Sequence, residues 1–400
     1  MTRERMMRWA LYLGLTGAAG AVLFLFMYWN ESMRVPLWLE GPVRAVYNFF
    51  YVFVMPLRTL ADGLVHRKDH NLPGAVRMAA YITSVPLMVF LAGLIVRARM
   101  ERHARHVEQH GKMTRRLFLA HTADAVVLGG GAITGAYATW YEPWRLQVRR
   151  YEMPIKGLPA AMDGYTFVQL SDTHYGPFVP LQHIENAIAI ANDLKPDFTV
   201  LTGDYVLRSP RAIELGVGVM EKVRAKHGVV AVLGNHDHWE NADECRRCFG
   251  TINIPMLDNA RIFLTADGIA AEVKPGTGLC LGGVGDQWTD AVDLNRALGG
   301  VDPDVPRIVL SHNPDVAEDR GNPERIDLML SGHTHGGQIS VPYRGAILVP
   351  SAYGNKYAGG LCRGPRYPVI VSRGVGMTVL PYRFRVAPEI VHVTLRQMRA

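Results

Sequence analysis

A chain of 400 residues with 48% hydrophobic and 20% charged side chains can bury more than one compact unit, which excludes a disordered chain or a fibrous repeat. Its net charge of +7 is unevenly placed: residues 1–140 hold 16 Lys and Arg against 8 Asp and Glu, and the remainder holds 27 against 28. A basic surplus set between long uncharged stretches reads as loops flanking a membrane, so no nucleic-acid partner is expected.

Trp9 to Trp29 is a run of 21 uncharged residues with an aromatic ring at each end. At about 1.5 Å per residue it spans roughly 31 Å as a helix, which predicts a transmembrane span. Met78 to Val96 gives a second run of 19 residues around Pro86, tolerable in a membrane helix. Ala45 to Leu57, 13 residues between Arg44 and Arg58, is short for a span and fits an interfacial or re-entrant helix. Ala125 to Tyr141 offers 17 uncharged residues after Asp124, which belongs near the inner interface.

Thr114-Arg115-Arg116-Leu117-Phe118-Leu119 and Ala136-Tyr137-Ala138 bracket that last segment. They resemble a twin-arginine export signal with a small-residue cleavage pattern, and a basic membrane flank reads equally well. Three spans put ten Lys and Arg on the inner side and six outside, whereas counting Ala45 to Leu57 as a fourth reverses the arrangement. The expected organisation is therefore a multi-pass region over residues 1–140 with about three spans in a bacterial cytoplasmic membrane. A second domain over 141–400 is expected outside the cytoplasm. His103, His106 and His110, set among Arg and Glu, read as a solvated helical face rather than a metal site.

After Tyr141 short β-branched runs alternate with helical patterns, an α/β arrangement. Five apolar runs end alike. Phe167 to Ser171 leads into Asp172-Thr173-His174, and Phe198 to Thr202 into Gly203-Asp204. Val229 to Leu233 leads into Gly234-Asn235-His236-Asp237. Arg307 to Ser311 leads into His312, and Asp327 to Ser331 into Gly332-His333-Thr334-His335. Ligands bind at the carboxyl ends of strands in open α/β sheets, so these groups can converge. Imidazoles, carboxylates and an amide oxygen suit Mn, Fe or Zn.

A regular helix would not put positions i and i+2 on one face, so Asp172-x-His174 and His333-x-His335 require irregular turns. Gly203, Gly234 and Gly332 stand where the chain must turn sharply off a strand. The four cysteines, Cys245, Cys248, Cys280 and Cys362, are too few for a disulfide-dense scaffold. Cys245-Arg-Arg-Cys248 admits a redox pair, a disulfide or two ordinary thiols.

The ordered set Asp-x-His, Gly-Asp, Gly-Asn-His-Asp, His, Gly-His-x-His resembles the calcineurin-like metallophosphoesterase superfamily from about residue 150 onward. Gly332-His333-Thr334-His335-Gly336-Gly337-Gln338, Arg373-Gly374-Val375-Gly376 and Leu380-Pro381-Tyr382-Arg383-Phe384 are similar to its membrane-anchored bacterial YkuE/YaeI-like branch. The resemblance implies a four-layer α/β/β/α sandwich of two mixed sheets. It also implies two divalent ions, one held by Asp172, His174 and His335, the other by Asn235, His312 and His333, with Asp204 bridging. Leu207 stands where the protein-phosphatase branch has a second acidic residue, which sets the chain apart from that branch.

Two ions roughly 3.5–4 Å apart can stabilise the attacking and leaving oxygens of an in-line displacement at phosphorus. The expected substrate is a phosphomonoester or phosphodiester, with a lipid or lipid-linked headgroup at the membrane surface as the narrower reading. His236 is the candidate general acid, because imidazole titrates near neutral pH, and Asp237 either orients it or locks the turn. His238 and Trp239 either line the entrance or pack, and Asp286 reads as turn chemistry. The competing reading is a membrane signalling or transport-associated protein using the fold as a binding module.

Overall fold

The computed structural model describes residues 133–398 apart from Pro177, Arg208, Ser209, Arg320, Asn322, Pro323 and Leu380, with six isolated positions between 115 and 131. The chain divides into two units, and the second, Ile133–Ala400, contains every element discussed below.

Fourteen strands are described: β1 (Gln147–Ile155), β2 (Thr166–Leu170), β3 (Phe198–Thr202), β4 (Val229–Val232), β5 (Ala260–Thr265), β6 (Gly268–Ala270), β7 (Leu279–Gly283), β8 (Arg307–Leu310), β9 (Leu328–Ser331), β10 (Ser340–Val341), β11 (Gly345–Ala346), β12 (Gly360–Arg363), β13 (Pro368–Val371) and β14 (Glu389–Gln397). One sheet has the order β1-β14-β2-β3-β4, a second β12-β13-β9-β8-β7-β5-β6, and β10 pairs with β11 alone. Both large sheets are mixed, with parallel centres at β2-β3-β4 and at β13-β9-β8-β7.

The central strands read as unbroken apolar runs because both their faces are covered: β3, β8 and β9 are buried at every position. Phe167, Phe198, Val200 and Val230 of the first sheet share one core with Leu281, Ile308, Leu310 and Leu330 of the second, so the sheets pack face to face.

The far side of the second sheet, through Val309, Met329 and Val371, packs on Leu294, Ala297 and Leu298 of the short helix α4 (Leu294–Leu298). Beside β2 and β14 lies α1 (Leu181–Asp193), which buries Ile184, Ala187, Ile188 and Ala191 at i, i+3, i+4 and i+7. Between them in sequence come α2 (Ile213–Gly218) and α3 (Asn235–Thr251). The result is a mixed α/β fold with central sheets flanked by helices, consistent with the sandwich that the resemblance implies.

The expected localisation is corrected: among the described residues no helix is long and apolar enough to cross a membrane. The physical reason is visible at the end of the Ala125 to Tyr141 segment. A π-helical turn at Tyr137–Tyr141 runs into a 3-10 turn at Glu142–Trp144. Ala138 and Glu142 are buried, the Ala138 carbonyl accepts the Arg383 N–H at 2.9 Å, and Tyr137 packs edge-on to Phe384. These residues belong to the second unit, where Ala136 caps this packed helical turn and Tyr137 and Ala138 lie within it. Trp9 to Trp29, Ala45 to Leu57, Met78 to Val96 and the three histidines near residue 106 lie outside the described residues, as does most of the twin-arginine-like segment.

Candidate metal centre

Asp172, His174, Asp204, Asn235, His312, His333 and His335 are all buried at the carboxyl ends of β2, β3, β4, β8 and β9. Three features bring five strand ends together. First, the turns bond to one another: Asp172 N–H donates to Gly203 O at 2.9 Å, His174 N–H to Asp204 O at 3.0 Å, and Gly332 N–H to His312 O at 3.0 Å. Second, the sheets are tied directly, since the buried Gln169 amide donates to Thr202 Oγ1 and to Ser331 O, each at 2.9 Å. His312 Nδ1 lies 2.7 Å from Thr202 O, so its ring is fixed by the opposite sheet.

Third, five of these residues hold left-handed backbone: Asp172 (φ 54°), His174 (φ 47°), Asp204 (φ 57°), His333 (φ 71°) and His335 (φ 52°). Such φ values are uncommon outside glycine and cluster where structure over-determines the chain for function. They form the irregular turns that the one-residue spacing required, and aim Asp172 with His174, and His333 with His335, into one space. Of the three glycines, only Gly203 needs positive φ, at 92°. Gly234 and Gly332 are required by space, because a Cβ on either would strike the Asp204 or Asp172 carboxylate.

Two clusters result, Asp172 with His174 and His335, and Asp204 with His312 and His333, and a third group of His174, Asp204 and His236 overlaps both. His174 Nε2 lies 2.9 Å from His335 Nε2, and Asp172 Oδ1 is 3.2 Å from the same His335 atom. In the second cluster His312 Nε2 is 3.2 Å from both Asp204 Oδ2 and His333 Nδ1. Asp204 Oδ2 also reaches the first cluster, 3.5 Å from His174 Nε2, so a single oxygen stands between the two. Ligands at about 2.1 Å from one ion are about 3.0–3.4 Å apart along a coordination edge, close to the 2.9–3.5 Å found here. Asn235 Oδ1 is buried with no hydrogen-bond partner, a donor matching an ion rather than a protein group. The donor set fits divalent metal.

The electrostatics fit as well. Burial alone would raise the Asp204 carboxyl, but His312, His236 and His174 outweigh it and hold it well below the usual range. Asp172 is likewise held low, against burial, by His335 and His312. Burial drives His174 far below ordinary imidazole and, with His312 beside it, brings His333 down to about 3. Neutral imidazoles and ionised carboxylates are the forms that ligate metal. His312 departs from that pattern: burial opposes its charge, yet Asp204 raises it well above the ordinary value.

His236 stands at the edge of the clusters, its ring perpendicular to that of His174 with centroids 4.8 Å apart and its Nε2 3.4 Å from Thr378 Oγ1. Its backbone N–H donates to Asp204 Oδ1 at 2.8 Å. Asp237 is completely buried and accepts the N–H groups of Asp204, Tyr205 and Gly234, so it locks the turns. Burial and then Asp204 push its carboxyl up to about 7, against the Gly234 and Tyr205 donors. Asp286 is held in a turn, accepting from Trp288 N–H at 3.0 Å and the Thr289 hydroxyl at 2.9 Å. Cys245 and Cys248 are buried free thiols, which leaves the reading as ordinary side chains.

Sequence reasoning assigned no role to Arg383. It is fully buried and donates to the carbonyls of Arg373, Gly374, Gly376 and Val386. That loop braces the first cluster, since Gly376 N–H donates to Asp172 O at 2.7 Å. The Arg373-Gly374-Val375-Gly376 and Pro381-Tyr382-Arg383-Phe384 stretches carried the signal, but only as separate motifs.

Two sheets that deliver paired His/Asp clusters around a shared carboxylate define a metal-dependent hydrolase with a site consistent with two divalent ions. Residues 165–337 match the calcineurin-like phosphoesterase family. Metallophosphoesterase YkuE of Bacillus subtilis (strain 168) is 32% identical over 295 residues, 71% of this chain and 98% of that protein. Phosphodiesterase YaeI of Escherichia coli (strain K12) is 31% identical over 284 residues, 71% and 99% of the two chains. A Bos taurus transmembrane protein with metallophosphoesterase domain is 28% identical over 335 residues, covering 80% of this chain and 72% of its own. The chain belongs to the calcineurin-like phosphoesterase family.

Proposed function

We propose that this protein hydrolyses a phosphomonoester or phosphodiester with a phosphoesterase domain over residues 141–400. In this reading Asp172, His174 and His335 would hold one divalent ion, Asn235, His312 and His333 would hold the second, and Asp204 would be a ligand to both. The observation that carries it is the position of Asp204 Oδ2, 3.5 Å from His174 Nε2 and 3.2 Å from His312 Nε2. Bound there, divalent ions supply Lewis acidity toward phosphoryl oxygens and a nucleophilic water at neutral pH.

The protein's own groups do the rest. Strained turns hold the ligands in place, so little reorganisation is needed when charge develops on the phosphoryl group. His236, at the rim beside His174 and within reach of Thr378, donates the proton that the leaving alkoxide needs. Asp237 positions the turns instead of meeting substrate. The narrower reading of a lipid or lipid-linked headgroup draws on no feature of the described residues and is left aside.

The test is turnover of bis-p-nitrophenyl phosphate, p-nitrophenyl phosphate and an alkyl phosphate by the full chain with added Mn²⁺. Metal-dependent release is expected, and His236→Ala should retain metal while losing rate mainly on the alkyl ester, where the leaving group is poor. Absence of turnover on all three substrates by metal-loaded protein would overturn the reading in favour of a binding module.

A further inference from the structure

Two indoles stand over the clusters and have no part in binding the ions. Trp239 lies in the first turns of α3, three residues after His236, with its ring centroid 4.6 Å from that imidazole and the planes at 71°. Trp288, in the loop after β7, meets the His333 ring at 4.3 Å and 89°. The two indoles are 6.4 Å apart, centroid to centroid, and inclined by 31°. Despite these contacts they remain 56% and 51% exposed.

Single exposed apolar residues are ordinary, but a pair at the mouth of a reactive site is a different matter. Nor is the exposure of Trp288 that of a slack loop. Asp286, fully buried, accepts its N–H from inside the turn, and Asp286 O accepts the Asp290 N–H at 2.8 Å. The turn is fixed with the indole outward.

The position says what the pair meets. If His236 gives a proton to the leaving oxygen, the body of the leaving group extends past His236, where Trp239 lies. Trp288 bounds the same space from the His333 side. A flat ring in contact with two aromatic faces needs roughly 7 Å between them, from contacts of about 3.5 Å each. The observed 6.4 Å between centroids is shorter than that, so a flat ring lies across the two half-exposed indole faces rather than between them. An alkyl chain would gain only apolar area here, whereas a flat π-system also gains stacking geometry.

We propose that Trp239 and Trp288 form an aromatic seat that selects phosphoesters whose leaving group is flat and π-faced, an aryl alcohol or a nucleoside, over saturated ones. This rests on the phosphoesterase reading above and adds the substrate class to it.

The test compares two phosphomonoesters whose alcohols differ in flatness but hardly in acidity, 2-(1-naphthyl)ethyl phosphate and its decahydronaphthyl analogue, with the full chain and Mn²⁺. Stacking on an aromatic side chain is worth about tenfold in affinity. KM for the naphthyl ester should be about tenfold lower than for the saturated one. Trp239→Ala and Trp288→Ala should each erase most of that difference through KM with little change in kcat, and Trp288→Phe should restore it. Equal KM for both esters in the unmodified protein, or equal rises for both in the variants, would overturn the seat.

Indole fluorescence provides a readout independent of turnover. Non-hydrolysable naphthylethyl phosphonate should quench it saturably, more than the saturated phosphonate does, and Trp239→Ala should abolish the excess. If neither monoester is turned over, the three-substrate assay above decides the phosphoesterase reading, while the quenching titration still decides the seat: saturable excess quenching upholds it and none refutes it.

Discussion

Asp237 Oδ2 accepts the backbone N–H of Asp204 at 2.8 Å, so a residue in the first turn of α3 holds the turn that follows β3. The same carboxylate takes the N–H groups of Tyr205 at 2.8 Å and Gly234 at 2.9 Å. Asparagine has one acceptor oxygen for these three donors, and a buried donor left unpaired costs about 1–3 kcal/mol. Asp237→Asn should therefore lower the melting temperature and weaken metal binding about 10–100-fold, as other residues that orient metal ligands do. Metal titration followed by thermal denaturation checks both effects, and unchanged affinity would show that Asp237 does not position the centre.

Gly203 combines positive φ with close approach. A Cβ there would stand 2.6 Å from the Gly234 nitrogen and 2.8 Å from His312 Nδ1. Gly203→Ala should displace His312 and Asp204 together, abolishing metal-dependent turnover and costing more than about 1 kcal/mol of stability. Circular dichroism of the variant against its activity separates a local lesion from global unfolding, and retained full activity contradicts the assignment.

Arg383 remains a cation in the interior even though burial brings its pKa down to about 10. Arg383→Met keeps the volume and orphans several carbonyls of the 373–376 loop, each at a cost of about 1–3 kcal/mol. Urea denaturation should show a loss on the order of 3 kcal/mol or more, with weaker binding in the cluster of Asp172. A loss below about 1 kcal/mol would mean that water replaces the guanidinium.

Part of this fold was legible from sequence and part was not, for physical reasons. The runs at β2, β3, β4, β8 and β9 could be read because strands covered on both faces must be apolar throughout, and the turns that follow them carry the candidate ligands. The β1–β14 pairing, from Gln147↔Glu389 to Ile155↔Gln397, could not. It joins segments more than 200 residues apart, and β1 is a partly exposed edge whose Arg149, Arg150 and Glu152 hide its period. Arg383 looks like a surface residue until the carbonyls that surround it are assembled. The reading of residues 1–140 rested on uncharged length, flanking charge and interfacial aromatics, which say nothing of how Tyr137 and Ala138 meet Phe384 and Arg383.

His183 provides a pH test away from the ligands. Burial beneath Trp144, whose ring stands 5.1 Å away, pulls its pKa down to about 4, although its bond to Val375 O opposes this. The folded chain refuses a proton that the unfolded chain accepts below about pH 6.5. This group's contribution is therefore intact above that pH and is lost as pH falls from about 6.5 to 4, by roughly 3 kcal/mol in full. Between pH 7 and 4.5 the melting temperature of His183→Gln should fall less than that of the unmodified protein. Parallel curves would contradict the assignment.

The most direct measurement is the number of divalent ions bound per chain, by elemental analysis, in the unmodified protein, His333→Ala and Asp204→Asn, with turnover on the same samples. Two ions are expected in the unmodified protein. His333→Ala should lose at least one ion together with activity, and Asp204→Asn should lose both, because its Oδ2 lies between the clusters. Two tightly held ions and undiminished turnover in Asp204→Asn would contradict a centre joined by that carboxylate.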